Sequence, residues 1–117
     1  MKILIIDDDY ETGKSLERYL KMKSESCTVV DSGRKALELM EGEEFDRIIL
    51  DMSMPEFSGF DFLNKLNKTG KTKHPKIFVY SAVQFSKDEY DDIIEKGASM
   101  VLHKETKFRQ LYDKITC

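Results

Sequence analysis

The segment ILIIDDDY, residues 3–10, runs four apolar residues directly into Asp7, Asp8 and Asp9. Asp51 follows the apolar IIL at 48–50, Ser81 follows IFVY at 77–80, and His103-Lys104 follow MVL at 100–102. The types on offer are carboxylates, a hydroxyl and an ammonium. Carboxylates repel one another and are costly to desolvate, so a cluster of them calls for a cation. Hard oxygen donors in an open, watery site suit Mg²⁺, with Mn²⁺ as the alternative. A metal held by one or two carboxylates keeps waters, and phosphate oxygens enter at those positions. Lys104 then fits as a second positive charge on a phosphoryl group. The chain contains neither GxxxxGK[ST] nor GxGxxG, so nothing cradles a nucleotide by backbone amides. The alternative is a carboxylate that carries the phosphoryl group itself, as nucleophile.

Each residue also has an ordinary reading when taken alone. Strands end in polar loops and Asp starts helices well, so Asp7–Asp9 could be no more than a strand end and a cap. Asp51 could be a turn residue, Lys104 an exposed strand end, and Ser81 a cap before the next helix. The chemistry depends on whether the chain delivers these ends to one place.

Five short apolar runs recur, at 3–6, 28–30, 48–50, 77–80 and 100–102. They are continuous and rich in Val and Ile, as in strands buried on both faces. Helical stripes lie between and after them: Leu16, Tyr19 and Leu20; Ala36, Leu37 and Met40; a weaker Phe62, Leu63 and Leu66; Tyr90, Ile93 and Ile94; and Phe108, Leu111, Tyr112 and Ile115. These stripes read as core. Ser32-Gly33 precedes the second helix, Gly42 follows it, Ser58-Gly59 opens the third and Gly97 closes the fourth. The order predicts a (βα)5 α/β fold, a doubly wound parallel sheet of flavodoxin-like type with strand order 2-1-3-4-5. Ligands bind such sheets beyond the carboxyl ends of the strands, at the switch point between strands 1 and 3. That places Asp8 and Asp51 within a few ångström of each other, with Ser81 and Lys104 nearby.

The chain has 117 residues, the size of one domain, with 40% hydrophobic and 35% charged residues. A net charge of −3 gives no general attraction to nucleic acid or to an anionic membrane. A basic run, Lys65, Lys68, Lys71, Lys73 and Lys76 with His74, reads as a solvated loop because it has little aromatic interleaving. His74 and His103 read as surface residues without ligand spacing. Cys27 and Cys117 form no CxxC pair, which argues against zinc or a disulfide framework and fits a reducing compartment. The apolar run in MKILIIDDD is too short for a signal peptide and runs at once into acids, and no apolar run approaches the ~20 residues of a spanning helix. The expected location is cytoplasmic.

With these residues in order, the chain resembles the response-regulator receiver domains of two-component signalling, the family of the chemotaxis regulator, over essentially its whole length. The resemblance rests on Asp7-Asp8, on Asp51 in IILDMSMPEFSGF with Met54-Pro55 and Gly59, on Ser81-Ala82 in VYSA, and on Lys104 behind KGAS at 96–99. It implies one receiver domain over 1–117, without an output domain among these residues. It implies that Asp51 accepts a phosphoryl group from a histidine kinase, a phosphotransfer protein or a small acyl phosphate. Asp8, Asp51 and the Ser53 carbonyl would ligate Mg²⁺, with Asp7 acting through a metal-bound water. Lys104 and Ser81 would contact the phosphoryl oxygens, and the helix 4–strand 5–helix 5 face would change its partner. Ser53 and Val83 stand where the family tunes the lifetime of the phosphoryl group. Asp9 is left over, solvated or capping the first helix.

Two positions depart from the family pattern. Val101 stands where Tyr or Phe commonly acts as a rotamer switch, so no aromatic flip relays the signal there. Glu105 replaces the Pro that commonly follows the lysine, and a cis bond without Pro costs about 2.5–4 kcal/mol, so a trans bond is expected. Two competing functions are a pseudo-receiver that only binds a protein and a small phosphohydrolase using Asp7 as nucleophile and Asp9 as acid–base. As a receiver the chain would lose only its own aspartyl phosphate and would not be a multiple-turnover enzyme.

Overall fold

The computed structural model describes residues 1–68 and 75–117, so Lys71, Lys73 and His74 of the basic run lie outside the described residues. The elements alternate strictly: β1 (Lys2–Ile6), α1 (Tyr10–Met22), β2 (Ser26–Val30), α2 (Gly33–Gly42), β3 (Arg47–Leu50), α3 (Gly59–Lys68), β4 (Lys76–Ser81), α4 (Lys87–Glu95), β5 (Ala98–His103) and α5 (Phe108–Thr116). All strand pairs are parallel, in the order β2-β1-β3-β4-β5, as the alternation predicts.

Side chains alternate across a strand, so the sheet splits its apolar residues between two layers. Leu4 and Ile6 face α2 and α3, packing with Ala36, Met40, Phe62, Leu63 and Leu66. Ile3 and Ile5 face α1 and α5, packing with Leu16, Leu20, Leu111 and Ile115. The central strands are buried on both faces, but β2 and β5 are half-buried because an edge strand has a neighbour on one side only. The Phe62 stripe, weakest in the sequence, is fully inside, with Phe62 and Leu63 at 0% exposure. Tyr90 is the exception to the predicted core. It lies 43% exposed over the edge strand β5, where no further layer covers it.

Local chemistry sets the helix starts. The Asp9 carboxylate accepts from the Glu11 amide to cap α1, and the Ser32 hydroxyl accepts from the Lys35 amide to cap α2. Ser86 and Glu89 form a reciprocal capping box on α4. Gly97, at φ +115°, ends α4 in a conformation that a Cβ would strain.

Candidate functional site

Asp7, Asp51 and Lys104 each stand one step beyond a strand with the amide still in the sheet ladder, and Asp8 follows one residue after Asp7. The Asp7 amide donates to the Val30 carbonyl at 3.1 Å, and the Asp51 amide to the Ile6 carbonyl at 2.9 Å. The Lys104 amide donates to the Ser81 carbonyl at 2.9 Å. Between Ile77 and Phe78 the β4–β5 register shifts by one residue on β5, which sets Ser81 opposite His103 and Lys104 just past the edge. That slip is invisible in sequence, and it decides where the ammonium arrives.

Asp7, Asp8 and Asp51 each offer a carboxylate oxygen within 4.8 Å of the others. Asp7 and Asp51 are 4% and 5% exposed, whereas Asp8 is open to solvent. The Lys104 Nζ lies 2.8 Å from Asp7 Oδ2 and 3.5 Å from Asp51 Oδ2. Asp7 Oδ1 accepts from the Asp9 amide at 2.9 Å, and Asp51 Oδ1 accepts from the Ser53 amide at 3.1 Å.

The charges press on one another. Burial pushes the Asp51 carboxyl above its ordinary range and Asp7 adds to this, against the opposing pull of the Ser53 amide, Lys104 and the Ser81 hydroxyl. Burial disfavours the Lys104 ammonium too, yet the hydrogen bond and charge of Asp7, with help from Asp51, hold its pKa above the ordinary value. Asp9 stands apart. The Thr12 hydroxyl, 2.7 Å from Asp9 Oδ2, lowers its pKa, and its carboxylate serves the start of α1.

The β3–α3 loop folds tightly under this cluster. Met52, Met54 and Phe57 turn into the core. Gly59 packs so closely that an added Cβ would overlap Met52 Sδ, and would lie 2.7 Å from Met52 Cα and 2.9 Å from the Asp51 carbonyl oxygen. A side chain there would have to displace the backbone that carries Asp51.

Residues 3–116 match the family model described as the response regulator receiver domain. The chain belongs to that family. It is 33% identical over 116 residues to the transcriptional regulatory protein CpxR of Escherichia coli, covering 97% of this chain and 47% of that protein. It is 30% identical over 117 residues to a cyclic di-GMP phosphodiesterase of Thermotoga maritima, covering 99% of this chain and 30% of that one. The receiver domain thus spans half or less of the length of these relatives. Among solved structures, a signal receiver domain from Bermanella marisrubri superposes with a TM-score of 0.87 at 28% identity, covering 98% of this chain and 94% of that one. Vibrio cholerae CheY4 superposes at 0.89 with 23% identity, covering 98% and 95%, which speaks to fold.

Within this receiver domain, the residues singled out from sequence converge: Asp7, Asp8, Asp51 and Lys104 form one cluster, Ser53 donates to Asp51, and fully buried Ser81 lies beside it. Ser81 does not cap α4, a task that falls to Ser86. Its Oγ instead accepts from the Val83 amide at 3.3 Å. Two residues escaped the sequence reading. The Tyr80 hydroxyl reaches the carbonyls of Lys104 and Thr106 at 3.2 and 2.9 Å, tying the β5–α5 turn to the sheet. In sequence Tyr80 is one more apolar strand residue. His103, read as a surface residue, is half-buried and places Nε2 3.0 Å from the Ala82 carbonyl oxygen. No cis peptide bond occurs among the described residues, as expected with Glu105 after Lys104. Beside Val101 lies an open groove of about 370 Å³, lined also by Val83, Phe85, Tyr90 and His103. Among the described residues no helix is long and apolar enough to cross a membrane.

Proposed function

We infer that this receiver domain is the phospho-receiver of a two-component phosphorelay. Asp51 takes a phosphoryl group from a histidine kinase or phosphotransfer protein in a Mg²⁺-dependent reaction, and the change alters partner binding. The observation that carries this reading is the convergence of three carboxylate oxygens within 4.8 Å, with Lys104 Nζ 3.5 Å from Asp51.

The residues fit a hard divalent cation, Mg²⁺ or Mn²⁺. The donors are all oxygen, and exposed Asp8 leaves one side open to water. Asp8, Asp51 and the Ser53 carbonyl would hold it, with Asp7 one water further out, since the Lys104 ammonium stands closer to Asp7, at 2.8 Å, than to Asp51, at 3.5 Å. A bound cation supplies Lewis-acid neutralisation of charge on phosphoryl oxygens. The chain's own residues do the rest. Asp51 offers a carboxylate oxygen to phosphorus. A P–O bond forms as the donor's P–N bond, or the P–O bond of an acyl phosphate, breaks, leaving a mixed anhydride on Asp51. Lys104 neutralises charge on the phosphoryl oxygens, and Ser81 offers its hydroxyl to one of them.

The same reading takes 1–117 as a single receiver domain in the cytoplasm, with no direct contact with nucleic acid or membrane. Its output is a protein partner on the α4–β5–α5 face. It turns over only its own phosphoryl group. Val101 and Glu105 favour a second reading, a pseudo-receiver that binds protein without chemistry. A phosphohydrolase has less support, since Asp9 is committed to Thr12 and the first turn of α1.

Incubation with acetyl phosphate and Mg²⁺, followed by intact mass, separates these. One hydroxylamine-labile phosphoryl adduct, absent in Asp51→Asn, is the expected result. No adduct from any donor would establish the pseudo-receiver. Multiple turnover of a phosphomonoester that survives Asp51→Asn and is lost in Asp9→Ala would establish the hydrolase.

A further inference from the structure

The β4–β5 ladder ends in a side chain. Ser81 and His103 are its last register pair, and the Lys104 amide bonds the Ser81 carbonyl at 2.9 Å. The next carbonyl, that of Ala82, is met by the His103 ring, with Nε2 at 3.0 Å. The other ring nitrogen, Nδ1, lies 3.1 Å from the Glu105 amide nitrogen, a group that can only donate. Nδ1 therefore carries its lone pair there, and the ring proton sits on Nε2, aimed at the Ala82 carbonyl. Both hydrogen bonds demand the same neutral tautomer, and the Glu105 carboxylate, with Oε2 4.0 Å from Nδ1, stands too far to accept a hydrogen bond from it.

The Ala82–Val83 peptide is thus held at both ends. Its carbonyl accepts from His103, and its N–H donates to Ser81 Oγ at 3.3 Å. A hydroxyl that accepts from a fixed amide has its lone pair engaged and its proton free to turn elsewhere. For Ser81, fully buried beside Asp51, elsewhere is the phosphoacceptor.

We propose that His103 is a positioning residue for chemistry at Asp51. Its Nε2–H holds the Ala82–Val83 peptide in the orientation that fixes the Ser81 hydroxyl and directs the hydroxyl proton toward a phosphoryl oxygen. The proposal rests on the phospho-receiver reading. It names a residue outside the acid–lysine–serine set, and it ties the turn after Lys104 to the loop after Ser81. With Val101 in place of an aromatic, the imidazole is the side chain on β5 that connects these two loops.

Glutamine and asparagine separate the two ring contacts. The amide nitrogen of Gln reaches the position of Nε2 and can still donate to Ala82, while the carbonyl of Asn mimics Nδ1 and can only serve Glu105. Rates of adduct formation with acetyl phosphate and Mg²⁺ are followed by intact mass for the wild type, His103→Gln and His103→Asn, each with and without Ser81→Ala. His103→Asn should slow transfer about fivefold, the kinetic equivalent of losing one neutral hydrogen bond. His103→Gln should restore most of the rate, and on the Ser81→Ala background His103→Asn should cost nothing further. Equal rates across the set, a slow Gln with a normal Asn, or an undiminished effect without the Ser81 hydroxyl would each overturn the proposal. A long-range ¹H–¹⁵N spectrum, with His103→Gln as the blank, provides an independent arm in the unmodified protein. It should show one neutral Nε2–H tautomer, and an Nδ1–H form would refute the peptide clamp. Failure of the wild type to take up any phosphoryl group would instead sink the phospho-receiver reading and leave the clamp to be decided by the tautomer.

Discussion

Replacing Asp51 with Asn should make the metal-free protein more stable, although it removes a partner from a buried ion pair. The opposing terms can be sized from the distances. Asp7 and Asp8 each place a carboxylate oxygen within 4.8 Å of one of Asp51, and each costs about 3.5 kcal/mol at that separation and an effective dielectric near 20, less for exposed Asp8 because solvent screens it. Lys104 at 3.5 Å returns about 4.7 kcal/mol at the same dielectric. The Lys104 attraction thus roughly balances the summed repulsion, and Lys104 keeps its shorter 2.8 Å contact with Asp7 when Asp51 is gone. What remains is the desolvation of a carboxylate that is 5% exposed, typically several kcal/mol and only partly offset by the Ser53 amide. Asn keeps an acceptor for Ser53 and drops the charge. The net gain should be about 1–2 kcal/mol, which for a chain of this length raises the melting temperature by roughly 4–8 °C.

The assay is thermal unfolding of wild type and Asp51→Asn in EDTA, then in excess Mg²⁺, at several pH values. Mg²⁺ at ten times its Kd would stabilise the wild type by about 1.4 kcal/mol and the variant far less, so the gap should narrow or close. Acid should narrow it as well. Asp51 has a raised pKa in the folded state, so its destabilising effect is complete above that pKa and fades as the pH falls through it toward the unfolded value. A variant less stable than wild type in EDTA near pH 7.5 would refute the reasoning, because the ion pair with Lys104 would then outweigh desolvation. A gap indifferent to Mg²⁺ would refute the assignment of the carboxylates to a cation.

Gly59→Ala should destabilise by about 2–4 kcal/mol, read from urea midpoints, because its Cβ overlaps not only Met52 Sδ, which could swing away, but also the Met52 Cα and the Asp51 carbonyl, which are backbone. An unchanged midpoint would show that the β3–α3 loop can shift freely. Tyr80→Phe should cost about 1 kcal/mol and speed amide exchange in the β5–α5 turn, since the Lys104 and Thr106 carbonyls lose their shared donor. Asp9→Ala should lower the thermal midpoint through the lost cap of α1 while leaving the rate of phosphoryl uptake unchanged. Loss of uptake would place Asp9 in the chemistry.

The order of elements was legible because each apolar run is short and bounded, and because parallel strands joined by helices leave few arrangements. Asp7, Asp51 and Lys104 were legible for the same reason: a residue just after a strand must emerge at one end of the sheet. Ser81 closes β4 and β5 runs through His103, as the sequence leads one to expect, and only Lys104 falls one step past its strand. The β4–β5 register shift depends on backbone geometry at Ile77 and Phe78 that carries no residue signature. Tyr80 was hidden because an aromatic in a buried strand looks like packing, and its hydroxyl finds partners 24 and 26 residues away. His103 was hidden because its partner is a main-chain carbonyl 21 residues away, and sequence lists only side chains. Tyr90 followed its helical stripe faithfully. The stripe simply runs past the edge of the sheet.

The backbone around Lys104 constrains how a phosphoryl group on Asp51 could be sensed. Phosphorylation would raise the charge there from one to nearly two negative units and compete with Asp7 for the ammonium. The lysine's own backbone is pinned twice, by its amide to the Ser81 carbonyl and by its carbonyl to the Tyr80 hydroxyl. Only its side chain can answer, over the difference between 2.8 and 3.5 Å. Larger movement then falls to release of the held Ala82–Val83 peptide, or to the segment beyond it, where Gln84 and Phe85 border the groove of about 370 Å³ beside Val101. An aromatic at position 101 would compete for that space, whereas Val leaves it open to the loop or to a partner's side chain. Val101→Phe should therefore fill the groove and slow exchange of the Val83 amide in the unmodified protein. Exchange unchanged by Phe would show that the segment after Ser81 moves without entering the groove, and that its motion must be read elsewhere on the α4 face.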